Sequence, residues 1–237
     1  MKYGKRLLYV GIIFLIILFS ILYIYVNDYY EADTDINMYL GSSGNVKVSR
    51  ISNNYYFDGN GKDKAIIFYP GGKVEYTAYA SLLYKISESG IDCFLVNMPF
   101  NLAIFNKNAA NSIINKYKYN DWYLAGHSLG GVVASMYAYN NSDKVNGLIL
   151  LASYPTNKIN NKIRVLSIYG SNDGVLNLDK YKSSKKYWNN NTKEIIIDGA
   201  NHSQFGNYGH QSGDKKASIT REEQQQETVN YILNYLG

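Results

Sequence analysis

Hydrophobic and polar positions follow one another along this chain in blocks, and the first block is the most extreme. From Leu7 to Val26 (LLYVGIIFLIILFSILYIYV) no residue carries a charge. At about 1.5 Å per residue, a helix of that length reaches roughly 30 Å, the thickness of a hydrocarbon core. Residues 28–45 turn polar and read as a linker into a domain spanning 46–237. There Val46–Ile51 and Tyr55–Asp58 predict an opening hairpin. Short continuous apolar runs then recur at Ala65–Tyr69, Cys93–Asn97, Trp122–Ala125, Lys144–Leu151, Ile163–Tyr169 and Lys193–Ile197, and they predict buried strands.

Between these runs, Tyr76–Ser89, Ala109–Tyr117, a stretch beginning just after Ser128, and Leu178–Trp188 predict helices. The closing helix is the clearest. Thr220 and Glu223 form a capping-box pattern, and Val229, Ile232, Leu233 and Leu236 recur at helical spacing. Strands that are apolar throughout, alternating with helices, predict an α/β fold with a mostly parallel sheet covered on both faces. In such sheets ligands bind beyond the carboxyl ends of the strands, so chemistry is expected in the loops that follow them.

Charge sharpens the picture at the N-terminus. Lys2, Lys5 and Arg6 precede the apolar run, whereas Asp28, Glu31, Asp33 and Asp35 follow it. That asymmetry predicts a single-pass anchor with a cytoplasmic N-terminus and the domain outside. Tyr23, Tyr25, Tyr29 and Tyr30 suit the outer interface. The alternative is a cleaved signal peptide and a secreted domain, but the run is long and Tyr-Ile-Tyr-Val-Asn offers no small-x-small cleavage pattern. Elsewhere the net charge of +5 is dispersed among Asn, Ser and Tyr, which argues against a nucleic-acid surface. The single cysteine, Cys93, sits in an apolar run and forms neither an internal disulfide nor a metal cluster. No cofactor or metal is expected.

Candidate chemistry concentrates at Gly126-His127-Ser128-Leu129-Gly130, a G-x-S-x-G sequence between a predicted strand and a predicted helix. A serine at such a bend is held in a strained conformation that exposes its Oγ. The flanking glycines let the helix pass close to the strand, and the Leu129 N–H at the helix start faces a developing oxyanion. A serine needs a base. Of the three histidines, His127 projects away from its neighbour's hydroxyl, and His210 lies in a polar, glycine-rich loop. His202 follows the last strand and is the candidate base. Asp173 follows the strand before it and is the candidate orienting acid. Asp143 precedes a strand, Asp179 opens a helix, and Asp198 lies too close to the strand that carries His202.

The segments Tyr69-Pro-Gly-Gly-Lys-Val, Asn97-Met-Pro-Phe-Asn-Leu-Ala, Gly126-His-Ser-Leu-Gly-Gly, Gly170-Ser-Asn-Asp-Gly and Asn201-His-Ser-Gln-Phe-Gly resemble the α/β-hydrolase superfamily, in particular its small carboxymethylenebutenolidase-like and esterase-like bacterial members. The chain order Ser128, Asp173, His202 is similar to the family's. The resemblance implies hydrolysis through an acyl-enzyme on Ser128, with Asp173 and His202 completing the triad; a carboxylic ester is the expected substrate, small or, given a membrane tether near an apolar pocket, lipid-like. It also implies a second oxyanion donor after the first parallel strand, where Gly72 matches and Lys73 is the alternative. Dienelactone hydrolases use a cysteine nucleophile, so Ser128 departs from that branch. Only Ala152 to Lys162 separate the two strands that flank the family's usual cap insertion, so no large lid is expected. Met98–Asn106 and Ser203–Thr220 are the loops left to roof a pocket, the first through Leu102, Ile104 and Phe105. An acyltransferase or peptidase using the same residues, or an anchored binding protein without activity, are the competing functions.

Overall fold

The computed structural model describes residues 2–237. Helix α1, Lys2–Asn27, contains the apolar run, and the segment Tyr9–Asn27 is long and apolar enough to cross a membrane, with none of it buried against the rest of the chain. The chain continues through β1 (Lys47–Ile51), β2 (Asn54–Asp58) and β3 (Lys64–Tyr69), then α2 (Ala80–Ser87), β4 (Asp92–Leu95) and α3 (Ala109–Ile114). It then forms β5 (Asp121–His127), α4 (Leu129–Asn140), β6 (Gly147–Leu151), β7 (Arg164–Gly170), α5 (Leu178–Ser184), β8 (Thr192–Ile197) and α6 (Arg221–Leu236).

The eight strands make one sheet in the order β1-β2-β4-β3-β5-β6-β7-β8. The hairpin joins antiparallel to β4, and the other strands run parallel. This is the expected α/β-hydrolase architecture. Two apolar layers sandwich the sheet. Leu82 and Leu83 of α2 join Val229, Ile232 and Leu236 of α6 on one face. Ala110 and Ile113 of α3 join Val133, Ala134 and Tyr137 of α4 on the other. Parallel register aligns Tyr69 with Gly126 and His127 with Leu151, so several strand ends open at one edge.

The predicted helix over 76–89 begins as a 3-10 turn, Tyr76–Tyr79, and ends before Gly90, whose φ of +82° suits a residue that stops a helix. Thr220 and Glu223 make both halves of the capping box. Residues 152–163 join β6 to β7 without a helix or strand, so no cap domain intervenes.

The segment read as a linker, 28–45, lies against the domain. The Tyr30 and Glu75 N–H groups donate to the carbonyls of Lys73 and Tyr30, the Asp33 N–H donates to the Asn207 carbonyl, and Ile36 is buried. Arg221 pairs with both Asp33 and Asp35. Its polar composition disguised this packing, in which Tyr30, Ala32, Ile36, Tyr39 and Leu40 meet the core alongside the backbone hydrogen bonds and ion pairs.

Candidate active site

Ser128 stands between β5 and α4 with φ 51° and ψ −123°, a backbone conformation that costs a non-glycine residue of order 1–3 kcal/mol. The surroundings hold it there. Its N–H donates to the Leu151 carbonyl (2.9 Å), and its carbonyl accepts from the Ser153 hydroxyl (2.7 Å). A methyl on Gly126 would lie 2.6 Å from the Gly130 carbonyl carbon, and one on Gly130 would collide with the Tyr69 and Pro70 carbonyl oxygens. Helix and strands therefore approach to a distance that only glycine at both positions permits.

His202 emerges after β8 and is 1% exposed. Its Nδ1 lies 2.9 Å from Asp173 Oδ2. A carboxylate only accepts, so Nδ1 donates this bond, and in the neutral imidazole the lone pair is on Nε2. That Nε2 is buried and has no hydrogen-bond partner among the described residues. Asp173, after β7, is itself fixed, since its Oδ1 accepts from the Val175 (2.9 Å) and Leu176 (2.7 Å) N–H groups. Ser128, Leu129, Ser153, Leu176 and His202 line one cavity of about 220 Å³. The sheet thus brings Ser128, Asp173 and His202 to a single rim.

The Leu129 N–H, at the first position of α4, has no acceptor among the described residues, nor does that of Gly72. The two residues are neighbours, for a methyl on Gly72 would sit 2.9 Å from Leu129 Cδ2. Lys73, the alternative donor, spends its N–H on the Asn101 carbonyl (2.8 Å). Of the other acids considered, Asp198 accepts from the Ser171 hydroxyl, and Asp179 sits in the first turn of α5. His210 is exposed.

His127 is fully buried, with its ring 4.4 Å from that of His202. The Tyr79 hydroxyl accepts from the Gly71 N–H (3.1 Å) and is hydrogen-bonded to His127 Nδ1 (2.8 Å). Burial raises the Tyr79 pKa and keeps its hydroxyl protonated. Burial, and next the nearby His202, hold the His127 pKa well below the usual 6.5, so His127 stays neutral.

Sequence reading missed a further carboxylate. Asp214 accepts at Oδ1 from the N–H groups of Gly174 (3.0 Å) and His202 (3.3 Å), and at Oδ2 from the N–H and hydroxyl of Ser203 (both 2.8 Å). It fastens the loop carrying Asp173 to the loop carrying His202. Burial raises its pKa, but these hydrogen bonds outweigh that effect and leave it lowered. Asp214 follows no strand, so only its place in the Ser203–Thr220 loop pointed toward it.

The profile of the Alpha/beta hydrolase family matches residues 65–226. The chain belongs to that family. Its fold is similar to that of Est1E from Butyrivibrio proteoclasticus (14% identity, TM-score 0.56, covering 81% of this chain and 99% of that one). It is also similar to dienelactone hydrolase from Anabaena variabilis (11%, 0.58, 81% and 99%) and to Thermogutta terrifontis esterase 2 (11%, 0.56, 83% and 96%). A search of curated protein sequences finds no match. The α/β-hydrolase fold, shared with esterases, supports hydrolase activity on a small-molecule substrate.

Proposed function

We propose that this protein is a serine hydrolase that cleaves carboxylic esters at Ser128. One observation carries the reading: a buried imidazole, held at Nδ1 by Asp173 and unpartnered at Nε2, shares a cavity wall with a serine in a strained turn. In the reaction, Ser128 Oγ attacks the acyl carbon while His202 Nε2 takes the hydroxyl proton. The carbonyl oxygen becomes an oxyanion facing the Leu129 and Gly72 N–H groups. Collapse of the adduct breaks the ester C–O bond, and His202 returns the proton to the departing alkoxide. Water, deprotonated by His202, then releases the acid and restores Ser128. Asp173 keeps the imidazole in the tautomer this cycle requires.

The cavity of about 220 Å³ is smaller than the roughly 300–1,000 Å³ usual for a whole ligand. It accommodates one short arm of the ester, with the other arm lying on the rim. We also read α1 as an uncleaved anchor, supported by its length, its apolar surface and the basic residues before it, with the domain on the outer side. Thermogutta terrifontis esterase 2 is known phosphoramylated by tabun, which recommends a phosphorus-based probe. A fluorophosphonate should label the protein, and Ser128→Ala should abolish labelling. Absence of labelling in wild type, or equal labelling of Ser128→Ala, overturns the reading.

A further inference from the structure

The loop after β4 divides its apolar residues between two fates. Met98 and Ala103 are buried in the core beside α3 and α4. Phe100, Ile104 and Phe105 instead point out of the domain, 57%, 40% and 60% exposed. The two phenylalanine rings meet edge to face at 5.7 Å. Such a cluster on the outside of a domain calls for something to cover it.

The position of the cluster says what covers it. Phe100 shares an open, almost wholly apolar concavity of about 690 Å³ with Phe19, Leu22, Tyr23 and Ile24, the last turns of α1. Lys73 binds the two regions together. Its N–H donates to the Asn101 carbonyl, its Nζ pairs with Asp28 just past α1 (2.6 Å), and the same Nζ lies over the Tyr25 ring (4.7 Å). No acidic residue occurs from 93 to 120, and Lys107 lies two residues beyond Phe105. Exposed aromatics continuous with an apolar helix and bordered by lysines match the composition of segments that lie in a bilayer interface.

We infer that Phe100, Ile104 and Phe105 form a second membrane contact, seated in the lipid surface beside α1. The inference rests on reading α1 as a membrane span. It has a consequence for the candidate site, because the same loop reaches that site. A methyl on Gly72 would lie 3.7 Å from Leu102 Cδ2, so the rim on the Gly72 side of Ser128 is built from the loop's inner face. The cavity holding one ester arm is lined by Ser128, Leu129, Ser153 and Leu176. A second arm that leaves it over Leu102 would lie toward the bilayer, which favours esters drawn from the lipid phase.

The test uses the full chain with one added cysteine, since the only native cysteine, Cys93, is fully buried and escapes labelling. Phe105→Cys and, at the far end of α4, Tyr139→Cys are each labelled with an environment-sensitive fluorophore. Each is then reconstituted into vesicles of phosphatidylcholine and phosphatidylglycerol containing lipids spin-labelled near the headgroup. Both proteins should float with the vesicles, and the probe at 105 should be quenched at least about threefold more than that at 139, as expected for side chains seated roughly 5–10 Å deep. Flotation with equal quenching at both positions overturns the second contact and leaves the anchor intact. Failure of either protein to float removes the anchor and the inference together.

Discussion

Left-handed backbone appears at several non-glycine residues in this molecule, and two of the turns, at Ser128 and at Phe100-Asn101, are held by opposite means. Ser128 is enclosed by the strand ends, by Ser153 and by a helix that only glycines at 126 and 130 allow to approach. Phe100 and Asn101, with φ of 57° and 54°, stand at the surface, where one backbone hydrogen bond from Lys73 ties the turn to the domain. Strain inside a rigid frame fixes one atom, here Ser128 Oγ, to a small tolerance. Strain at the rim turns a whole apolar side chain outward and needs no such tolerance. The two turns should therefore respond differently to the same kinds of substitution.

The largest difference should lie in activity at the enclosed turn. Ser128→Ala is expected to lower kcat/KM for a short-chain ester by about 10⁴-fold or more, as removal of a nucleophile does. Ser128→Gly should be equally inactive, yet it frees the backbone. Its unfolding free energy should exceed that of Ser128→Ala by about 1–2 kcal/mol. Denaturant titration of the two inactive proteins reads this directly, and equal stabilities would mean that the turn stores no strain.

Next in size is the frame itself. Gly130→Ala forces a methyl into the Tyr69 and Pro70 carbonyls, and backbone at the centre of a sheet cannot move aside cheaply. A loss of about 3 kcal/mol or more is expected, visible as a lowered urea midpoint with an unchanged slope. A near-neutral result would show that α4 can slide on β5, and the claim of an enclosed turn would fail.

Much of this frame was legible in the sequence because its signals are local. Apolar runs located every parallel strand, Thr220 and Glu223 located the last helix, and position after successive strands singled out Ser128, Asp173 and His202 as candidates. What escaped depends on contacts between distant segments. Asp214 does its work from a loop without periodicity, and Tyr79 looked like one more aromatic on a helix. Residues 28–45 read as a linker because Tyr30, Ile36, Tyr39 and Leu40, which meet the core, are spread among polar residues without a regular period. Met98 and Phe100 belong to one apolar stretch in sequence, and only the turn between them sends one inward and the other out.

The enclosed turn should also be the acid-sensitive one. His127 is neutral when folded, with a pKa held below 6.5 by burial and by His202. Below that value the unfolded chain binds a proton that the folded chain refuses, so stability falls on acidification, at a limit of about 1.4 kcal/mol per pH unit. Asp214 acts in the same direction at lower pH. Its lowered pKa lends stability above its unfolded value of 3.8, and this is lost as pH drops through the folded value. In thermal melts between pH 7 and 5, wild type should lose stability faster than His127→Asn. Parallel curves would remove His127 as the source of the sensitivity.

The smallest effect should belong to the outer turn. Asparagine tolerates left-handed backbone better than other residues with a side chain, so Asn101→Gly relieves little strain while giving the unfolded chain more freedom. Its unfolding free energy should stay within about 0.5 kcal/mol of wild type. The Lys73 N–H still finds the residue 101 carbonyl, because that bond involves no side chain. Short-ester activity should persist, in contrast to the same substitution at Ser128. The contrast breaks if Asn101→Gly loses activity in proportion to Ser128→Gly. That outcome would mean the rim turn positions Gly72 as tightly as the inner frame positions Ser128, and that the bond between Lys73 and Asn101 is part of the catalytic geometry.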